Sequence, residues 1–237
     1  MAVAFNTVVK NNTGSSSQAS VSVTLPAGVT TGQLGILDVS AERGLVPSLP
    51  TGWTQLTAAA DGIEFAHLIA YRNLLTSDAS TVVSSTVTTN RRMSATISIW
   101  DGCDLTIVPQ IIIGTPGATG SSNTDYTHPS ITPAEDDMML LAISTTLKQI
   151  SPFTHILSTP GGWTEAAQEV TTSGSSANPV SYQAYQLVSG GSGVPQSGPT
   201  VTANTTNYRA WASTLALAPL TIPPATNLSW GYTVTIG

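Results

Sequence analysis

Apolar and polar residues alternate with a period of two along much of the chain. Segments 19–25 and 93–99, for example, carry Ala, Val, Leu, Ile or Met at every second position. This period is that of a β-strand with one buried face, whereas amphipathic helices repeat their apolar residues every three or four positions. We find no clear helical pattern, so the sequence predicts an all-β protein with under about a tenth of its residues in helices.

Twelve short segments, either alternating or continuously apolar, carry a strand signal, and Gly, Pro, Asn and Ser clusters separate them. The predicted strands are 19–25, 34–40, 53–60, 64–74, 81–88, 93–100, 107–113, 138–145, 163–171, 180–187, 199–203 and 211–218. Many short strands at such regular spacing are typical of sandwiches and jelly rolls. We therefore expect a jelly-roll-like β-sandwich.

The two series of strands repeat one another. Pro50-Thr51-Gly52-Trp53-Thr54 in the first matches Pro160-Gly161-Gly162-Trp163-Thr164 in the second, and Ala70-Tyr71-Arg72 matches Ala184-Tyr185-Gln186. The offset grows from about 105 to about 118 residues, as expected when insertions collect in loops. The sequence therefore predicts two similar halves.

These matches set the predicted domain boundaries. We assign an N-terminal arm to 1–18, a sandwich to 19–219 and a C-terminal arm to 220–237. Within the sandwich, half one spans 19–101, a connector spans 102–127 and half two spans 128–219. A half has only five or six strands, which is marginal for an independent core, so one fused domain is favoured. The sequence leaves open whether that domain is one sandwich or two.

The order of these motifs resembles a known family. A Pro-x-Gly-Trp-Thr turn, an aromatic Ala-Tyr-Arg strand and a closing strand that ends in Leu215-Ala216-Leu217-Ala218-Pro219 resemble the β-sandwich virion proteins of tailed bacteriophages. Gln33-Leu34-Gly35 departs from the Gly-Asp-Leu that opens one strand of the pattern. The resemblance implies a virion location, a capsid-decoration, minor-capsid or tail role, and a major capsid or other virion protein as partner.

Candidate chemistry is sparse. His67 shares a strand face with Phe65 and Ile69, which favours a core or edge histidine, while His128 and His155 lie apart from it and from each other. No second His or Cys stands at metal-ligand spacing. We predict no metal site, no cofactor and no catalytic residue.

Two further candidates also favour structural roles. Cys103 lies between Asp101 and Asp104, and negative charges raise the pKa of a thiol, the opposite of what a nucleophile needs. The run Glu135-Asp136-Asp137 precedes a strand without the spacing and glycine of a calcium loop. An exposed acidic turn is favoured there over a weak cation site.

The aromatic residues leave two interpretations open. Trp53 and Trp163 occupy equivalent places in the repeat, which favours a role as structural anchors that each fill one end of a core. Exposed Trp and Tyr could instead stack on sugar rings. A carbohydrate-binding module of a phage tail or cell-surface protein is therefore the alternative to a structural virion protein, with a glycan as its partner.

Charge and composition exclude several classes of partner. The chain has 7 basic and 13 acidic residues, a net charge of −6 and no basic run, which argues against nucleic acid. No apolar run reaches the ~18 residues of a membrane span, and the first residues lack a signal-peptide pattern. One cysteine cannot form an internal disulfide. We expect a non-enzymatic protein made without export.

The C-terminal arm carries the cleanest strand pattern in the chain. After Pro223-Pro224, its large side chains alternate with Ser, Gly and Thr; they are Leu228, Trp230, Tyr232, Val234 and Ile236. Such a strand either covers an edge of its own sandwich or adds to a neighbouring subunit. We favour the second, because the apolar face would otherwise be exposed, and so expect a homo-oligomer.

Overall fold

A computed structural model describes residues 2–13, 16–61, 65–114, 125–148, 155–157, 161–168, 178–203 and 209–221. Apart from a short 3-10 helix at Thr76–Asp78, the regular elements of this part are strands, which confirms the predicted all-β sandwich. The strands are β1 (Ala4–Asn12), β2 (Gln18–Thr24), β3 (Leu34–Glu42), β4 (Thr54–Ala60), β5 (Phe65–Asn73), β6 (Val82–Arg91), β7 (Met93–Asp101), β8 (Gln110–Ile113), β9 (Asp125–Thr127), β10 (Met139–Lys148), β11 (His155–Leu157), β12 (Thr164–Gln168), β13 (Asn178–Leu187), β14 (Thr200–Ala203) and β15 (Arg209–Leu217).

Nested antiparallel pairs define the topology of half one. Strand β1 pairs with β7, β2 with β6, and β3 with β5, as in a long hairpin that has been rolled up. The result is a large sheet of order β1-β7-β3-β5-β4 and a small sheet of β2 and β6. Nested pairs divided between two facing sheets are the arrangement of a jelly roll.

Half two repeats this arrangement, with one additional strand, β11, in its small sheet. Its large sheet has the order β8-β15-β10-β13-β12, and its small sheet has the order β9-β14-β11. The register also repeats, because Leu34 lies opposite Asn73 and Met139 lies opposite Leu187. Even the register irregularity in β4 recurs in β12. The prediction of two similar halves is therefore confirmed.

The two halves share a core. One apolar cluster lies between the outer face of half one's large sheet and the strands β2 and β6. A second apolar cluster lies between the outer face of half two's large sheet and its own small sheet. A third cluster lies between the two large sheets and includes Ile36 and Trp100 from half one with Leu141 and Leu215 from half two. The molecule is thus a stack of four sheets, with the large sheets in the middle.

Strands also occur outside the two predicted halves. Strand β1 lies in the segment assigned as the N-terminal arm, and β8 and β9 lie in the segment assigned as the connector. Strand β1 is an edge strand whose residues are half-buried or exposed, so it has no sharp alternation of apolar and polar residues. Strand β9 has three residues, too few to show a period, and the same holds for β11, which lies within half two but was not predicted. The C-terminal arm beyond residue 221 lies outside the described residues.

The repeated turns depend on one glycine each. Gly52 and Gly162 have φ angles of +80° and +93°, which L side chains rarely adopt. Arg72 and Gln186, at matching positions of β5 and β13, lie over these glycines. Only a residue without Cβ suits such a turn, which explains why both copies keep Gly before Trp.

We expect Gly162→Ala to lower the free energy of unfolding by about 1–2 kcal/mol, because alanine is strained at positive φ. Gly161 is the matched control: a Cβ built there meets no atom within 4 Å, and its φ is not in the positive region. Gly161→Ala should change stability by less than about 0.5 kcal/mol. Urea denaturation measures both variants, and equal losses would contradict this account of the turn.

Candidate functional site

A groove opens at one end of half one, between the Pro50–Trp53 turn and the start of β6. Its volume is about 350 Å³, and its lining includes Pro50, Trp53, Arg72, Asp78 and Ser84. Arg72 comes from β5, and Asp78 comes from the short 3-10 helix that follows it. The groove is therefore built from the turn before β4, the end of β5, the 3-10 helix and the start of β6.

An ion pair forms the polar part of this groove. Arg72 Nη2 donates to Asp78 Oδ1 at 2.6 Å, and the backbone N–H of Leu75 donates to Asp78 Oδ2 at 2.9 Å. The Arg72 side chain keeps 27% of its surface exposed, whereas that of Asp78 keeps 9%. The pair presents a planar guanidinium whose charge is already balanced, which suits an uncharged or aromatic group better than an anion.

The anchor tryptophans are buried. Trp53 is 5% exposed in the core of half one, and Trp163 is 8% exposed in the core of half two. Trp100 and Trp211 are buried as well, so these four indole faces are covered by protein. The stacking platform that the carbohydrate hypothesis requires is therefore not available at these four positions.

A polar cluster is enclosed between the two large sheets. Asp38 of β3 is 1% exposed, and its Oδ2 accepts hydrogen bonds from Ser181 Oγ at 2.5 Å and Thr145 Oγ1 at 3.3 Å. Burial raises the pKa of Asp38 to about 6, and the two hydroxyl hydrogen bonds lower it in part. The Asp38 carboxyl thus forms hydrogen bonds between the two halves. Its ionised form is destabilised because the buried charge has lost its contacts with water.

His67 lies on the same inner face of half one's large sheet. Its ring centroid is 4.2 Å from that of Trp211 in half two, and burial lowers its pKa to about 4. Ser40, directly opposite His67 on β3, forms a buried hydrogen bond with Ser94. A neutral histidine packed against an indole is a structural contact between the halves, as the alternation of β5 indicated.

Cys103 and His128 are buried groups with unreactive surroundings. Burial, with a smaller contribution from Asp101, raises the pKa of Cys103 to about 12. His128 lies 3.0 Å from the carbonyl oxygen of Pro199 through Nδ1, and burial lowers its pKa to about 4. His155 begins β11.

Two residues of the acidic run accept hydrogen bonds from a neighbouring turn. Asp136 Oδ1 accepts hydrogen bonds from the backbone N–H groups of Gly191 and Ser192, and Asp137 Oδ1 accepts one from Gly190. Among the described residues no group of three or more His, Cys, Asp or Glu could hold a metal ion. The carboxylates thus fix the loop after β13, a role that the sequence did not reveal.

Five predicted interaction residues, Leu228, Trp230, Tyr232, Val234 and Ile236, lie outside the described residues. The groove was not predicted from the sequence, because neither Arg72 nor Asp78 was identified there as a candidate functional residue. Arg72 lies near the end of a strand and Asp78 in a short helical turn, and no recognisable sequence motif links the two positions.

The chain matches no protein-family model, and no curated protein or solved structure is significantly similar to it. Among the described residues, no helix is long and apolar enough to cross a membrane. The features that bear on function are therefore the fold, the groove and the motifs of the sequence.

Proposed function

We propose that the chain is a non-enzymatic structural protein of a phage virion that decorates or reinforces the capsid. The repeated Pro-x-Gly-Trp-Thr turn and the closing strand that ends in Ala-Leu-Ala-Pro support this, because they resemble virion proteins of tailed phages. Jelly rolls are also a common architecture of viral capsid proteins. The proposed partners are a major capsid or other virion protein and further copies of this chain.

The observation that carries the proposal is the fusion of two jelly rolls through a buried interface. Apolar side chains from both large sheets pack at one end of it, and Asp38, Ser181 and Thr145 join the halves further along. Such a buried interface holds the two halves together as one body, which suits a component of a particle. The surfaces left for partners are loops and strand edges.

The buried ionisable groups support a structural role as well. Asp38, His67 and Cys103 lie inside the molecule, where burial shifts each pKa in the direction that favours the uncharged group. A general acid or base must reach its substrate. These groups contact other parts of the chain instead, as parts of a core do.

Quantitative mass spectrometry of purified virions tests the proposal. The chain should be present at a fixed copy number relative to the major capsid protein. Absence from purified virions would overturn it.

A further inference from the structure

Strand β8 forms one edge of half two's large sheet and pairs there with β15. Next to this strand, Gly114 N–H donates to the carbonyl oxygen of Ala212 at 2.8 Å. Because backbone groups of an antiparallel strand alternate in direction, the N–H and C=O groups of Ile111 and Ile113 point away from β15. Within the described part of the chain, these groups have no hydrogen-bond partner. The edge therefore offers both donors and acceptors to another strand.

The other edges of the two large sheets have features that prevent pairing. Strand β1 carries Lys10 and a register irregularity, and register irregularities also interrupt β4 and β12. Bulges twist an edge away from a potential partner, and charges repel it. Strand β8, in contrast, pairs with β15 in continuous register, and residues 105–124 contain no Asp, Glu, Lys or Arg. The β8 edge thus lacks both kinds of protection.

Apolar side chains on both faces of β8 are exposed. Ile111 packs against the apolar cluster between the large sheets, so Ile112 points to the opposite face of the sheet. Ile112 is 44% exposed and Ile113 is 39% exposed, and Val108, just before the strand, is 57% exposed. Exposed apolar side chains on an uncharged edge mark an interaction site for another apolar strand.

We propose that β8 is a dimer interface, at which β8 of a second copy pairs antiparallel across a two-fold axis at Ile112. The directions of the backbone groups set this register. It places Ile111 opposite Ile113 of the partner subunit, so that the outward N–H and C=O groups of both strands are all paired. Ile112 meets Ile112 of the partner subunit at the axis, in the type of pair that brings side chains closest together.

The sequence of the strand favours a second copy as the occupant. Ile111-Ile112-Ile113 is the same in either direction, so antiparallel pairing places isoleucine opposite isoleucine at every position. Cross-strand pairs of β-branched side chains stabilise a sheet. The same surface is used on both copies, so the contact closes at a dimer and produces a continuous sheet twice as wide as the five-stranded one.

The contact is short, so we expect a dissociation constant on the order of 100 µM. This inference does not rest on the proposed virion role, because it concerns the purified chain alone. Absence of the chain from virions would leave the dimer intact, and a monomeric chain would leave the virion role open.

Sedimentation of the full chain from about 10 µM to about 1 mM tests the dimer. Ile112→Lys places two positive charges next to each other at the axis, on a side chain that is exposed in the single copy. Val194→Lys is the matched control, because Val194 is 55% exposed but lies in the turn that Asp136 fixes, away from β8.

The wild-type chain should change from monomer to dimer over this range, and Val194→Lys should behave in the same way. Ile112→Lys should weaken the association constant by about tenfold or more. A wild-type chain that stays monomeric at the highest concentration would overturn the proposal. So would association that Ile112→Lys leaves unchanged.

A cysteine at the axis tests the register. The Cα atoms of a non-hydrogen-bonded antiparallel pair lie about 4.5 Å apart, within the range that a disulfide spans. Ile112→Cys should therefore form a disulfide-linked dimer with oxidised glutathione, whereas Val194→Cys should not. Cys103 is 3% exposed in both variants and does not compete. Equal cross-linking of the two variants would contradict pairing at Ile112.

Discussion

Trp53→Ala should lower the free energy of unfolding by about 3–5 kcal/mol, the cost typical of removing a large aromatic side chain from a core. Trp53 is 5% exposed and lies in the core of half one, with its ring close to Gly35, where a Cβ would be 3.1 Å from Trp53 Cη2. Little rearrangement can fill the resulting cavity, because the backbone of β3 forms one of its walls. Chemical denaturation followed by far-ultraviolet circular dichroism measures the loss.

Two further variants show whether the loss reflects packing. Trp163→Ala should have a similar cost, since Trp163 fills the equivalent place in half two. Leu75→Ala removes an apolar side chain that is 48% exposed and should cost under about 1 kcal/mol. A Trp53→Ala protein as stable as the Leu75→Ala protein would contradict the packing role of the repeated tryptophans.

Asp38→Asn should stabilise the protein at neutral pH and have little effect in acid. The folded chain keeps the Asp38 proton up to a pKa of about 6, whereas the unfolded chain releases it near 3.8. Between these values the folded state binds more protons, so this group's contribution to stability falls as the pH rises and remains lost above pH 6. Asparagine can accept the same hydroxyl hydrogen bonds without ionising, so the gain at pH 8 should be about 2–3 kcal/mol.

The buried histidines have the opposite effect on the pH dependence of stability. Their contributions cancel when the Asp38→Asn variant is compared with the wild type. The pKa values of His67 and His128 are lowered to about 4, so their contributions to stability are lost as the pH falls from 6.5 toward 4. Both residues remain in the variant, and the difference between the two stability curves isolates Asp38. Urea denaturation from pH 4 to 8 measures it. A variant less stable than the wild type at pH 8 would show that the ionised carboxylate stabilises the interface between the halves.

The fold could be predicted from the sequence because its signals are local and repeated. Alternating or apolar runs located twelve strands, and the turns before Trp53 and Trp163 recur in both halves because each needs a glycine at positive φ. Strand β1 was not predicted because it is an edge strand with half-buried residues on both faces, which leaves no sharp alternation to detect. A local pattern therefore suffices where at least one face of a strand is buried.

The sites could not be predicted because they depend on register and on the contact between the halves. Asp38 meets Ser181 and Thr145, which lie 143 and 107 residues away, only because the two large sheets face each other. The groove likewise depends on the contact of the Pro50–Trp53 turn, Arg72 and Asp78 with the start of β6. A strand pattern does not state which neighbour a strand has, so the groove appears only in the folded chain.

The copy number of this chain in purified virions tests the central claim most directly. Particles are purified by density gradient, and the chain is quantified by mass spectrometry with labelled reference peptides from this chain and from the major capsid protein. A structural virion protein should remain with the particles through the gradient, in a constant ratio to the major capsid protein from one preparation to the next. A chain that is made in infected cells but absent from gradient-purified particles would contradict the proposed function.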